Sequence, residues 1–247
     1  MKAILIASTF SIFLYCECLT LHSQIDLTKF EIGVNANGFI YQGDLTPSLL
    51  GSYRTIKPGF GFFVSKMLTP IFSVRTNLVF GKLKGDDAKY SHPAYRQQRN
   101  FNFKSQVFEI SELLVANVFR ENHFGISPYL FGGLGLSFLH IKRDWSNFNA
   151  EYFSAESSTI TGLATDAQHS LPKSIPVIPL GIGIRYSISK NLSVNAETTY
   201  RIVFTDYLDG FSEAANPSKN DHYYTHSIGL IYSFGKKNSL NCPVIQN

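Results

Sequence analysis

The chain has 247 residues, of which 44% are hydrophobic, 14% aromatic and only 16% charged. An average soluble protein carries about 25% charged residues, so this composition excludes a disordered tail, a collagen-like repeat and a coiled coil. A formal net charge of +4 gives no basis for a nucleic-acid partner, and a mean hydropathy of -0.01 argues against a helical membrane bundle but not against a barrel, in which apolar and polar residues alternate.

Residues 1–24 read as a secretory signal. Lys2 supplies the positive end, Ala3 to Tyr15 the apolar run, and small or polar residues follow, with cleavage placed near Ser23 or Gln24. Glu17 and His22 interrupt the run before the roughly 20 residues a spanning helix needs. Tyr15 and Glu17, bulky and acidic, argue against lipidation of Cys16 or Cys18. Removing the signal leaves Cys242 alone, so no internal disulfide and no zinc site can form. No metal and no cofactor are expected.

The body, residues 25–235, has a period of two. Phe30, Ile32, Val34, Ala36 and Ile40 alternate with Glu31, Gly33, Asn35 and Asn37, and Phe60, Phe62 and Val64 with Gly59, Gly61 and Ser65. Phe72, Val74, Thr76, Leu78 and Phe80 oppose Ser73, Arg75, Asn77, Val79 and Gly81. The segment Phe101 to Phe119 begins with Asn102, Lys104 and Gln106 on the polar side and loses phase around Phe108 to Ser111, which predicts a bulge. Leu130, Leu134, Leu136 and Phe138 alternate with small residues, as do Leu180, Ile182, Ile184 and Tyr186. The clearest run is Leu192 to Thr205, with Ser193, Asn195, Glu197, Thr199 and Arg201 on one face; His226, Ile228, Leu230, Tyr232 and Phe234 mark another strand. Residues 236–247 form a periplasmic tail.

A soluble sandwich and a membrane barrel share this alternation but bury opposite faces. Three features favour the barrel. Tight or moderate connections (Leu68 to Pro70, Glu121 to Ser127, Ser189 to Asn191) alternate with long ones (Leu45 to Ile56, Asp86 to Arg99, Asp144 to Ser174, Asp206 to Asp221). Aromatics gather near strand ends, as at membrane interfaces, and Gly shares the polar face with charges, as a narrow filled lumen requires. The predicted fold is all-β: an antiparallel up-and-down transmembrane barrel of about eight strands with long outer loops and short periplasmic turns. An unpaired internal charge is costly, so Glu31, Arg75, Lys104, Glu112, Arg185, Glu197 and Arg201 are expected to form a lumen charge network.

Several strings resemble the PorG-like outer-membrane barrels of Bacteroidetes. Arg99 to Ser105 (RNFNFKS) with Glu109 is similar to that family's RN-x-SF-x-S stretch, and Pro128 to Gly135 to its PY-x-F-x-G-x-G strand. The most specific string is Thr205, Asp206, Tyr207, Leu208 and Asp209 with Gly210 to Ser212, which resembles a TDYLDD-x-S signature. Gly43-Asp44-Leu45 matches an early loop, and Thr165 to Gln168 a TEGQG loop without its glycines. The resemblance implies a non-enzymatic anchor or assembly component of type IX secretion, in the outer membrane, with a periplasmic ring protein or lipoprotein as partner. A stand-alone surface or adhesion barrel is the alternative. The barrel is expected to be monomeric.

Other readings are weaker. His140, His222 and His226 lie near strand ends beside Ser227 and Asp221, but strand neighbours point to opposite faces, which argues against a triad. Asp86, Asp87, Asp206 and Asp209 suit turns better than Ca²⁺. Trp145 reads as a membrane-interface anchor, and Lys236 with Lys237 as either a solvated pair or a headgroup contact. An open porin needs about 16 to 18 strands.

Overall fold

The computed structural model describes residues 29–48, 51–118, 125–216 and 220–235. The signal with Cys16 and Cys18, the tail with Lys236, Lys237 and Cys242, and Glu121 lie outside them. Eight strands, β1 (Phe30–Gln42), β2 (Lys57–Met67), β3 (Phe72–Asp86), β4 (Asn102–Asn117), β5 (Ile126–Asp144), β6 (Ser174–Ser187), β7 (Leu192–Val203) and β8 (His222–Ser233), pair with their sequence neighbours. β8 pairs with β1, which closes the barrel. Closure satisfies each strand's backbone groups without water, the condition for crossing lipid.

Paired residues share parity, as in Phe80↔Phe108↔Phe138, so odd-numbered residues of all strands face the interior. Even-numbered residues form the outer surface, where Leu134 is 68% and Ile228 67% exposed among Phe62, Ile110, Leu114, Leu130, Ile182, Ile184 and Leu230. A contiguous apolar band of this kind has no place on a water-soluble monomer; it faces hydrocarbon. At its outer edge a row of rings runs across four strands: Phe60 stacks on Phe80 at 4.9 Å, Phe80 on Phe108 at 4.6 Å, and Phe108 on Phe138 at 5.8 Å.

Beyond that row the polarity inverts. Lys82, Gln106, His140, Lys104 and Lys142 are on the outside, while Leu83, Phe103, Val107 and Leu139 are buried inside. A spanning strand needs only about 10 residues; β4 has 16 and β5 has 19. Their excess length stands in water and obeys the rule of a soluble sheet, apolar inward. This corrects the reading of β4. Its pairing with β3 runs unbroken from Asp86↔Asn102 to Phe72↔Ala116, so no bulge occurs at 108–111. The apparent loss of phase is the exit from the membrane.

Candidate functional site

The interior has two halves. Large inward rings fit because inward glycines lie opposite them: a Cβ on Gly81 would stand 2.1 Å from the Phe39 ring and one on Gly59 2.5 Å from it. Towards the short turns, three arginine–carboxylate pairs climb the lumen. Arg185 Nη1 and Nη2 donate to Glu31 at 3.0 and 2.8 Å, a bidentate pair that Ser233 joins at 2.8 Å. Arg75 donates to Glu197 at 2.6 Å, with Tyr129 donating to the same oxygen at 2.6 Å and the Phe63 ring 4.3 Å from the guanidinium. Arg201 Nε donates to Glu109, which also accepts from Tyr223 at 2.9 Å, while Arg201 Nη1 donates to Thr225 at 3.0 Å. Small spaces among the described residues include one of about 20 Å³ lined by Glu31, Arg185 and several serines and one of about 10 Å³ beside Asn37, Glu197 and Arg201. Each is close to the volume that holds one water.

Of the expected network, Glu31, Arg75, Arg185, Glu197 and Arg201 face the lumen. Lys104 and Glu112 do not: both are even-numbered and lie on the outer face, Lys104 in the aqueous part and Glu112 in the apolar band, where Thr76 donates to it at 2.8 Å. Reading β4 in the phase of its water-exposed end carries Lys104 and Glu112 to the wrong side. Glu109 was missed for the same reason. Charge balance is the signal that finds it, since three inward arginines call for a third inward carboxylate.

Above the arginine pairs the lumen turns apolar. Phe39, Leu83, Phe101, Phe103, Val107, Val203, Leu208, Phe211 and Tyr223 make one core that continues into the loops. Four of the five strings that carry the resemblance meet here, those at Gly43 to Leu45, Arg99 to Ser105, Thr165 to Gln168 and Thr205 to Ser212, whereas Pro128 to Gly135 lies at the short-turn end, where Tyr129 and Phe131 pack with Leu113 and Val115. Phe101 stacks on Phe211 at 4.4 Å, and Leu45 and Leu208 are fully buried. Asp87 accepts from Arg96 Nη1 at 2.8 Å and Arg99 Nε at 2.7 Å, and Arg96 Nη2 reaches the Thr46 carbonyl at 2.9 Å, tying the first outer loop to the second. Asp166, at the end of helix Ser158–Gln168, accepts from the backbone N–H of Ser212, Glu213 and Ala214 and from the Tyr207 hydroxyl. Arg143 Nη1 donates to the Gly210 carbonyl at 2.7 Å, where φ is +90° and glycine is favoured. Thr205 Oγ1 accepts from Tyr207 N–H at 3.2 Å, an ST-turn that sets the loop's direction. The described parts of the four loops pack together as one cap.

Inside the cap Asp209 and Asp221 share the Tyr41 hydroxyl, which lies 2.7 Å from Asp209 Oδ2 and 2.7 Å from Asp221 Oδ1. One hydroxyl hydrogen can serve only one of these contacts; the other needs a proton on a carboxyl group. Burial raises both acids well above the ordinary carboxylate range, and Asp209 adds its charge to Asp221. Burial likewise pushes Asp206 up to about 7, helped by Asp44 and Asp166.

His226 points outward and bonds Thr198 at 2.9 Å and Tyr53 at 2.8 Å, Ser227 points inward, and Asp221 is committed to Tyr41, so no triad assembles from them. Asp86 pairs with Lys84 and Asp87 with two arginines. Among the described residues no three His, Cys, Asp or Glu side chains are grouped to hold a metal ion. Trp145 is not a membrane anchor: it packs edge-on against Phe211 at 6.1 Å inside the cap, with Arg143 5.5 Å from its ring.

Comparison with solved structures finds chains of similar fold. Neisserial surface protein A is 14% identical with a TM-score of 0.48, over 83% of this chain and 97% of that one. A major outer membrane protein from Thermus thermophilus is 10% identical with a TM-score of 0.46, over 82% and 98%. Ail, the attachment invasion locus protein of Yersinia pestis, is 12% identical with a TM-score of 0.43, over 82% and 96%. No curated protein matches the sequence. The family model of a domain of unknown function, DUF6089, matches residues 8–243.

Proposed function

The chain belongs to the DUF6089 family, and we propose that it is a non-enzymatic outer-membrane barrel acting as an anchor or assembly component of a type IX protein secretion complex. In this reading residues 1–24 direct export, 25–235 form the barrel, and 236–247 lie in the periplasm. The carrying observation is the convergence of four of the five PorG-like strings on one cap: Leu45, Phe101, Asp166 and Thr205 to Asp209 meet above a lumen filled by ion pairs and rings. A barrel closed in this way passes no solute, so its work lies at its surfaces. Lipid surrounds the apolar band. The short turns 68–71 and 188–191, with the tail, are the contacts for a periplasmic ring protein or lipoprotein.

Gene deletion tests the reading. It predicts type IX cargo stranded in the periplasm, restored by the full chain and not by a chain ending at residue 235. Intact export overturns it; intact export with altered adhesion supports a stand-alone surface barrel instead.

A further inference from the structure

The outer surface of β3, β4 and β5 carries a feature that neither closure nor secretion requires. One register step beyond the ring row Phe80↔Phe108↔Phe138 lies Lys82↔Gln106↔His140, and one step further Lys84↔Lys104↔Lys142, three lysines directly opposite one another on adjacent strands. Like charges placed opposite across a sheet repel, so a sheet edge in water gains nothing from this row. Lys84 is held by Asp86 at 2.8 Å. Lys82, Lys104 and Lys142 are exposed and make no ion pair among the described residues. Two acids, Asp86 and Asp144, stand in the next row outward, where Asp144 accepts from Asn102 and Ser146 and is within electrostatic reach of Lys104, though not in an ion pair with it.

The position fixes the partner's chemistry. Neighbouring strands lie about 4.8 Å apart, so the lysine row spans roughly 10 Å just beyond the stacked phenylalanines. Rings of this kind sit at headgroup depth, which puts the ammonium groups at the level of lipid phosphates. We propose that Lys82, Lys84, Lys104 and Lys142 form a binding site for the phosphate groups of an anionic outer-leaflet lipid whose acyl chains lie along Phe80, Phe108 and Phe138. The lipid neutralises the row, and the rings below it seat the chains. The site rests on the membrane placement of the barrel and is independent of the secretion role.

The test uses the purified full-length barrel in neutral detergent, titrated with a diphosphorylated lipid A and, separately, with inorganic phosphate. A basic residue near an anionic surface strengthens binding roughly fivefold, so K84Q/K104Q/K142Q is expected to bind lipid A about 100-fold more weakly than the parent. The arginine counterpart K84R/K104R/K142R keeps the affinity, as does K190Q at a periplasmic turn. Salt weakens lipid A binding to the parent protein, a readout that stands even where the glutamine variant does not fold. Equal affinity of a folded glutamine variant and the parent, or salt-insensitive binding, overturns the proposal. Phosphate binding as tight as lipid A binding also overturns it, because the site then takes a free anion. Native migration and its shift on boiling report barrel closure separately.

Discussion

The two halves of the interior solve the same problem in opposite ways. The half inside the membrane is lined by three ion pairs and faces its apolar residues outward, while the half in water is lined by rings and faces lysines outward. Side-chain parity does not change between them; only the solvent outside does. The comparison shows that hydropathy along a strand reports which medium it crosses, whereas the backbone reports only the sheet.

The largest effect should come from breaking a lumen pair. Arg201→Leu strands the buried Glu109 carboxylate, and losing one partner of a buried pair costs about 4 kcal/mol. Urea unfolding in detergent reads it, and adding Glu109→Leu should recover most of the loss. In the cap, Phe211→Ala removes the ring between Phe101 and Trp145 and is expected to cost about 3 kcal/mol. The damage should stay local, with the outer loops cut faster by protease while the folded barrel keeps its heat-shifted migration.

Acid–base behaviour should separate the halves further. Asp206 titrates at about 7 in the folded cap against an ordinary 3.8, so the folded state binds the extra proton. Its contribution to stability is full below pH 4 and is lost as pH rises through about 7. Asp209 and Asp221, also raised by burial, act in the same direction. Protection of the amides of Leu208 to Phe211, taken relative to their intrinsic exchange rates, should therefore fall between pH 5 and pH 8, and Asp206→Asn should flatten that profile. The smallest effect is expected on the lipid side, where Phe108→Ala removes two ring contacts worth about 1 kcal/mol each.

β7 was legible residue by residue because it stops near the membrane surface: Ser193 to Arg201 keep one phase throughout. β4 was not, because it continues into water and its polarity turns over at Val107 and Phe108. That turnover imitates a bulge and placed Lys104 and Glu112 inside. The cap was legible only as motif strings. Tyr95–Arg99 and Ser158–Gln168 are helices that no periodicity announces, and the pairing of Asp87 with Arg96 and Arg99 depends on the turn between them.

The change of medium at the phenylalanine row can be measured with brominated lipids. With Trp145, the single tryptophan, replaced by Phe, tryptophan is introduced singly at Leu114, Leu113 and Gln106. Strong quenching at 114, with little at 113 or 106, is the predicted result. Quenching at 106 equal to that at 114, or none at 114, would contradict the account.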